Sequence, residues 1–194
     1  MKKALLIFTV LLISVSGFSQ KRKKRVKLDL TGRNYYIRCV ANQKYLDIPG
    51  YGHRASKDNG ADVQLWNLDK GMDRRVKFIP AGNGYYHIRF QHAKMNMDVH
   101  GCYSGEWFCG TYKDEKGANV QIWSAGSSKP QEWKLDQINP GEFRIINRYS
   151  GKVLDANGHR LNDNGCEVQQ WDWHGGDNQL WELVDVKTGH RYQL

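Results

Sequence analysis

A chain of 194 residues, 40% apolar and 25% charged, has room for one domain with a sizeable core and excludes a binding module joined to a full catalytic domain. Seven Trp, ten Tyr and 20 Gly favour short strands, tight turns and amphipathic aromatic surfaces. The formal net charge of +9 is concentrated near one end of the chain.

In chain order, Lys2 and Lys3 precede an apolar run from Ala4 to Val15 that ends in Ser16, Gly17, Phe18 and Ser19. This is the layout of a secretory signal peptide, expected over residues 1–19 with cleavage after Ser19. The run is shorter than the roughly 20 apolar residues of a membrane span. Its end carries no Cys for a lipid anchor, and no later segment is a candidate span. The mature protein is therefore expected outside the cytoplasm, extracellular or periplasmic. Residues 20–33 form a basic tail containing Lys21, Arg22, Lys23, Lys24, Arg25 and Lys27. That tail is either a solvated arm or a tether to an anionic surface. Export removes nucleic acid from reach.

From residue 34 the chain repeats itself in three copies, about 34–82, 83–140 and 141–186, with residues 187–194 left as a C-terminal tail. Each copy reads as an alternating strand, a turn, a second strand ending in Asp, a Gly-containing turn, and a Val-Gln-x-Trp strand. The acids are Asp47, Asp98 and Asp155, and the tryptophans are Trp66, Trp123 and Trp171. Ten residues beyond each Trp stands Val76, Trp133 or Trp181. Four strands per copy are expected, in the third copy near Phe143–Asn147, Lys152–Asp155, Glu167–Asp172 and Leu180–Val184. Asn59-Gly60 and Asn164-Gly165 mark tight turns.

Twelve short strands in three equal units cannot bury their apolar faces separately. Closing one pair per copy into a barrel and capping it with the other pair removes exposed edges. The expected fold is thus all-β, a β-trefoil. Its core would hold Ile37, Ile88, Ile145, Leu46, Met97, Leu154, Trp133 and Trp181.

The pattern of Leu-Asp, Val-Gln-x-Trp and Asn-Gln-x-Trp closely resembles the ricin B-chain-type lectin domain, over about residues 34–186. The resemblance implies one shallow sugar site per repeat. The third copy holds the full set: Asp155, Gln169, Trp171, Asn178 and Gln179, with His174 on the rim. It implies that Asp155 accepts two sugar hydroxyls, Trp171 stacks on the ring, and Asn178 and Gln169 add polar contacts. Gln179 is expected to brace the acid or backbone, and Trp181 to lie in the core. The chemistry suits these types, because a carboxylate offers two acceptor oxygens and makes charge-assisted hydrogen bonds. In the first copy Asp47, Gln64 and Trp66 remain, but Asp73 and Arg74 replace Asn and Gln, and Arg74 competes for Asp47. In the second copy Asp98, Gln121 and Trp123 remain, but Pro130 replaces the Asn. In both, the motif is either a weaker sugar site or a scaffold device.

The second copy is lengthened by a loop between Cys102 and Cys109, which carries Tyr103 and Trp107. A Cys102–Cys109 disulfide would rigidify it, and whether Cys39 and Cys166 pair stays open. No metal-ligand, triad or phosphate-loop spacing occurs, and Asp114 and Glu115 lie together in a polar turn. No enzyme activity, metal or cofactor is expected. The partner implied is a glycan or polysaccharide bound by a monomer. The rival reading is a trefoil for protein contact, such as an inhibitor, adhesion or toxin-delivery subunit.

Overall fold

The computed structural model describes residues 28–50, 55–69, 71–103 and 111–193. The signal-peptide and basic-run expectations, together with Trp107 and Cys109, lie outside the described residues.

Among the described residues twelve strands form, in three sets of four. The first set is β1 (Tyr35–Cys39), β2 (Tyr45–Asp47), β3 (Gln64–Trp66) and β4 (Val76–Gly82). The second is β5 (Tyr85–Phe90), β6 (Met95–Val99), β7 (Val120–Trp123) and β8 (Trp133–Asn139). The third is β9 (Glu142–Asn147), β10 (Val153–Ala156), β11 (Cys166–Trp171) and β12 (Trp181–Asp185). The expected third-copy strands differ from these by one residue at most of their ends.

The first and fourth strands of the three sets close a ring in the order β1, β4, β5, β8, β9, β12 and back to β1. Its register repeats threefold. Tyr35 pairs with Val76, Tyr86 with Trp133 and Phe143 with Trp181. Between sets, Ile37 pairs with Leu183, Ile88 with Phe78 and Ile145 with Leu135. Alternation along each strand sends these side chains inward, and all are buried. The chain is a β-trefoil.

The remaining strands form hairpins β2–β3, β6–β7 and β10–β11 that cap one end of the barrel. Leu46, Met97 and Leu154 point from the caps into the core, as expected. The indole Nε1 of Trp133 donates to the Met97 carbonyl at 3.0 Å, and Trp181 does the same to Leu154 at 3.0 Å. A buried indole thereby satisfies its one donor while locking barrel to cap. Val76 fills this place in the first repeat without such a bond.

The hairpins also join one another. Gly60, Gly117 and Gly165 each stand just before a Val-Gln-x-Trp strand, with φ of 90°, 85° and 83°. Their amides donate to the carbonyls of Ile122, Gln170 and Leu65 at 3.0, 2.8 and 2.9 Å, each acceptor being the residue before the next repeat's Trp. The aromatic that marks each repeat therefore rests against a turn from the repeat before it.

The packed unit extends past residues 34–186 at both margins. Leu30 is fully buried, and Tyr192 packs edge-on to Tyr35 with centroids 6.2 Å apart. Cys39 and Cys166 are buried free thiols, which closes the question of their pairing. Burial pushes the Cys39 thiol up to about 12.

Candidate functional site

In the third repeat, β10 carries Asp155 and β11 carries Gln169 and Trp171. The hairpin register sets Asp155 opposite Gln169 and Val153 opposite Trp171. The period-two alternation then puts Asp155, Gln169 and Trp171 on one face, away from Leu154 and the core. After β11 the loop Asp172–Gly176 and a single 3-10 turn, Asp177–Gln179, fold back over that face.

Asp155 is 3% exposed and is enclosed by amides. Its Oδ1 accepts from Gln169 Nε2 at 2.9 Å, and its Oδ2 from Asn178 Nδ2 at 3.0 Å and Gln179 Nε2 at 2.9 Å. His174 Nε2 lies 3.7 Å from Oδ2. Among the described residues, no Lys or Arg pairs with this acid. Burial raises the Asp155 carboxyl, against the downward pull of Gln169, Gln179, His174 and Asn178. With one amide donor on Oδ1, the ionised form has a further lone pair on that oxygen.

Gln179 is fully buried and braces the loop. It also donates to the Asp172 carbonyl at 3.0 Å and accepts from the His174 amide at 2.9 Å. Gln131 does the same in the second repeat, donating to Ser124 O at 3.1 Å and accepting from Gly126 N at 2.9 Å. His174 Nδ1 accepts from Gly176 N at 3.2 Å. A Cβ on Gly176 would come within 2.7 Å of both His174 Cε1 and Asn178 Oδ1, so a larger residue there would have to displace those two side chains. Trp171 is half-buried, outside the barrel; its ring meets Gly117, and Lys116 Nζ stands 5.5 Å from its centroid.

The first repeat keeps Asp47, Gln64 and Trp66 but sets its own cation against the acid. Gln64 Nε2 still donates to Asp47 at 2.7 Å. Arg74, itself 2% exposed, reaches Asp47 at 3.1 Å and also pairs with Asp69 and Asp73. Burial pushes the Asp47 carboxyl up to about 6, outweighing Gln64 and Arg74. Trp66 is 36% exposed beside a closed acid.

In the second repeat Lys113 Nζ sits 2.8 Å from Asp98 Oδ1 and also donates to the Val99 carbonyl. Gln121 turns its carbonyl to His100 Nδ1 at 3.0 Å. A cavity of about 500 Å³ opens here, walled by Trp123, Tyr103, His100, Lys113 and Ser128. The sequence reading ranked the third repeat first and left the second as a weaker sugar site or a scaffold device; the pocket adds His100, Lys113 and Ser128 to the residues named there. Lys113 escaped that reading because it lies in the lengthened turn that the other copies lack. Arg74, by contrast, stood in the motif itself.

A family model described as ricin-type beta-trefoil lectin domain-like matches residues 25–107 and 109–171. Among solved structures, the chain is similar to a designed threefold-symmetric protein, ThreeFoil, with a TM-score of 0.68 and 28% identity, covering 79% of this chain and 99% of that one. It is also similar to 1,3Gal43A, an exo-β-1,3-galactanase from Clostridium thermocellum, with a TM-score of 0.68 and 26% identity over 80% of this chain and 30% of the enzyme. A Macrolepiota procera ricin B-like lectin, solved in complex with lactose, shares the fold at a TM-score of 0.61 and 19% identity, covering 78% and 94%. No curated protein matches the chain.

Proposed function

The chain belongs to the ricin-type β-trefoil lectin domain-like family, and from that membership we propose that it is a non-catalytic glycan-binding protein whose principal site is the third repeat. The observation that carries this reading is Asp155, a buried carboxylate held by Gln169, Asn178 and Gln179 and paired with no Lys or Arg among the described residues. In the other two repeats Arg74 and Lys113 occupy the equivalent acid. A sugar hydroxyl donating to Asp155 Oδ1 gains a charge-assisted bond, while the apolar face of the ring lies on Trp171. The second-repeat cavity would hold a ring against Trp123 without that hydroxyl–carboxylate contact, and so more weakly.

Export through residues 1–19 belongs to the same proposal. So does a Cys102–Cys109 bridge, which an oxidising compartment permits. A glycan array, starting from galactosides, tests the reading with wild type, Asp155→Ala and Trp171→Ala. A hydrogen bond to a charged group contributes about 1.5–3 kcal/mol, so loss of Asp155 should weaken binding by about 10- to 100-fold. Glycan retention unchanged in both folded variants would move the function to another surface.

A further inference from the structure

The three boundaries between repeats are built alike except at one residue. Before Gly60 and Gly165 stand Asn59 and Asn164. Asn59 Oδ1 accepts from the Ser124 amide at 2.6 Å, and Asn164 Oδ1 from the Asn67 amide at 3.1 Å. Each therefore clasps the residue that follows the next repeat's Trp. Before Gly117 the residue is Lys116, which has no acceptor to offer the Asp172 amide. The boundary that gives up this clasp is the one facing the third-repeat site.

Lys116 is exposed, with its ammonium 5.5 Å from the centre of the Trp171 ring. The two acids nearest the third-repeat site have other partners. Asp172 is paired with Lys152 at 3.0 Å, and Asp155 is enclosed by amides. Among the described residues Lys116 itself has no carboxylate within ion-pair distance. A scaffold explanation accounts for the two asparagines, whereas Lys116 rests its ammonium against Trp171 and adds its charge to the field at Asp172. On its flexible stem the ammonium can leave the indole for an anionic group beside a ring stacked there.

Resting on the glycan-binding reading, we propose that the third-repeat site selects an acidic glycan, with Lys116 of the second repeat contacting a carboxylate or sulfate next to the sugar held by Asp155 and Trp171. The juxtaposition of Lys116 with Trp171 across the repeat boundary carries this.

The test is an array that sets neutral oligosaccharides beside their sialylated, uronate and sulfated counterparts, probed with wild type, Lys116→Asn and Asp155→Ala. Lys116→Asn restores the residue found at the other two boundaries, so the variant should fold. Since the basic N-terminal run is present in every protein, it cancels from the comparison. The expected result is a preference of about three- to fivefold for one acidic series, reduced toward unity by Lys116→Asn and by added salt. The carboxylate and sulfate arms identify which anion is read. An acidic-to-neutral ratio near one in wild type, or a ratio untouched by Lys116→Asn, overturns the proposal while leaving the lectin reading intact. Binding untouched by Asp155→Ala removes the third repeat as the principal site, and overturns this proposal with it.

Discussion

Asp155 would accept hydroxyl donors most strongly when ionised, and its surroundings act on that state in two directions. Burial raises its carboxyl above the ordinary 3.8, while Gln169, Gln179, His174 and Asn178 pull it back. Glycan binding should hold above the raised value and fall as the pH drops through it. The loss therefore begins at a higher pH than for an exposed aspartate. The sign for folding is opposite: a folded-state value above the unfolded one stabilises the protein below the unfolded value, and that share is lost as pH rises through the folded value. Acidification from about pH 7 to about pH 4 should thus weaken binding while the Asp155 share of stability grows. Calorimetric affinities and thermal midpoints over one pH series separate the two. Affinity that stays level across the series would mean that this carboxylate does not meet the sugar.

At the scale of the hairpins, the Gly-to-Trp contact couples neighbouring repeats. Gly117 has φ of 85°, and a Cβ there would stand 3.4 Å from Trp171 Cζ3. Gly151 has φ of 72° with nothing within 4 Å of the same added atom. Alanine at either position meets the left-handed backbone cost of about 1–2 kcal/mol. The added methyl at Gly117 meets the indole at ordinary contact distance, but only there does relaxation of the strained turn move the surface on which Trp171 rests. Gly117→Ala alone should therefore weaken glycan binding, as read by denaturant melts beside glycan titration. Equal effects of the two variants on binding would break the link between the boundary turn and the site.

This coupling marks where the sequence stopped being informative. Alternation within each strand, the Asp and Trp spacing and the ring residues Trp133 and Trp181 are local signals, and they led to the trefoil and to the bracing role of Gln179. The Gly117–Trp171 contact and the ammonium of Lys113 on Asp98 join residues far apart in sequence or lodged in a turn unique to one copy. No periodicity records them. Tyr192 and Leu30 close the barrel from segments read as tails, because single apolar residues in polar stretches carry no pattern.

Across the whole molecule, the three repeats have one scaffold and three electrostatic fates. Arg74 closes the first acid, Lys113 pairs with the second, and the third is held by amides with no Lys or Arg paired to it among the described residues. A rigid body with three working sites would gain avidity on clustered glycans; one principal site forgoes most of that gain. The closure of the first repeat should be reversible. Asp73 and Arg74, 1% and 2% exposed, stand where the third repeat has Asn178 and Gln179. Removing Arg74 alone would leave Asp47 and Asp73 buried without a cation, a loss of about 3–5 kcal/mol. The pair Asp73→Asn with Arg74→Gln removes one of those acids with its partner and supplies the amides that hold Asp155. This double variant should stay folded and raise the calorimetric stoichiometry from about one glycan per chain toward about two, with Trp66 as the new stacking surface. A stoichiometry unchanged by the double substitution would show that the buried cation is not what keeps the first repeat from binding.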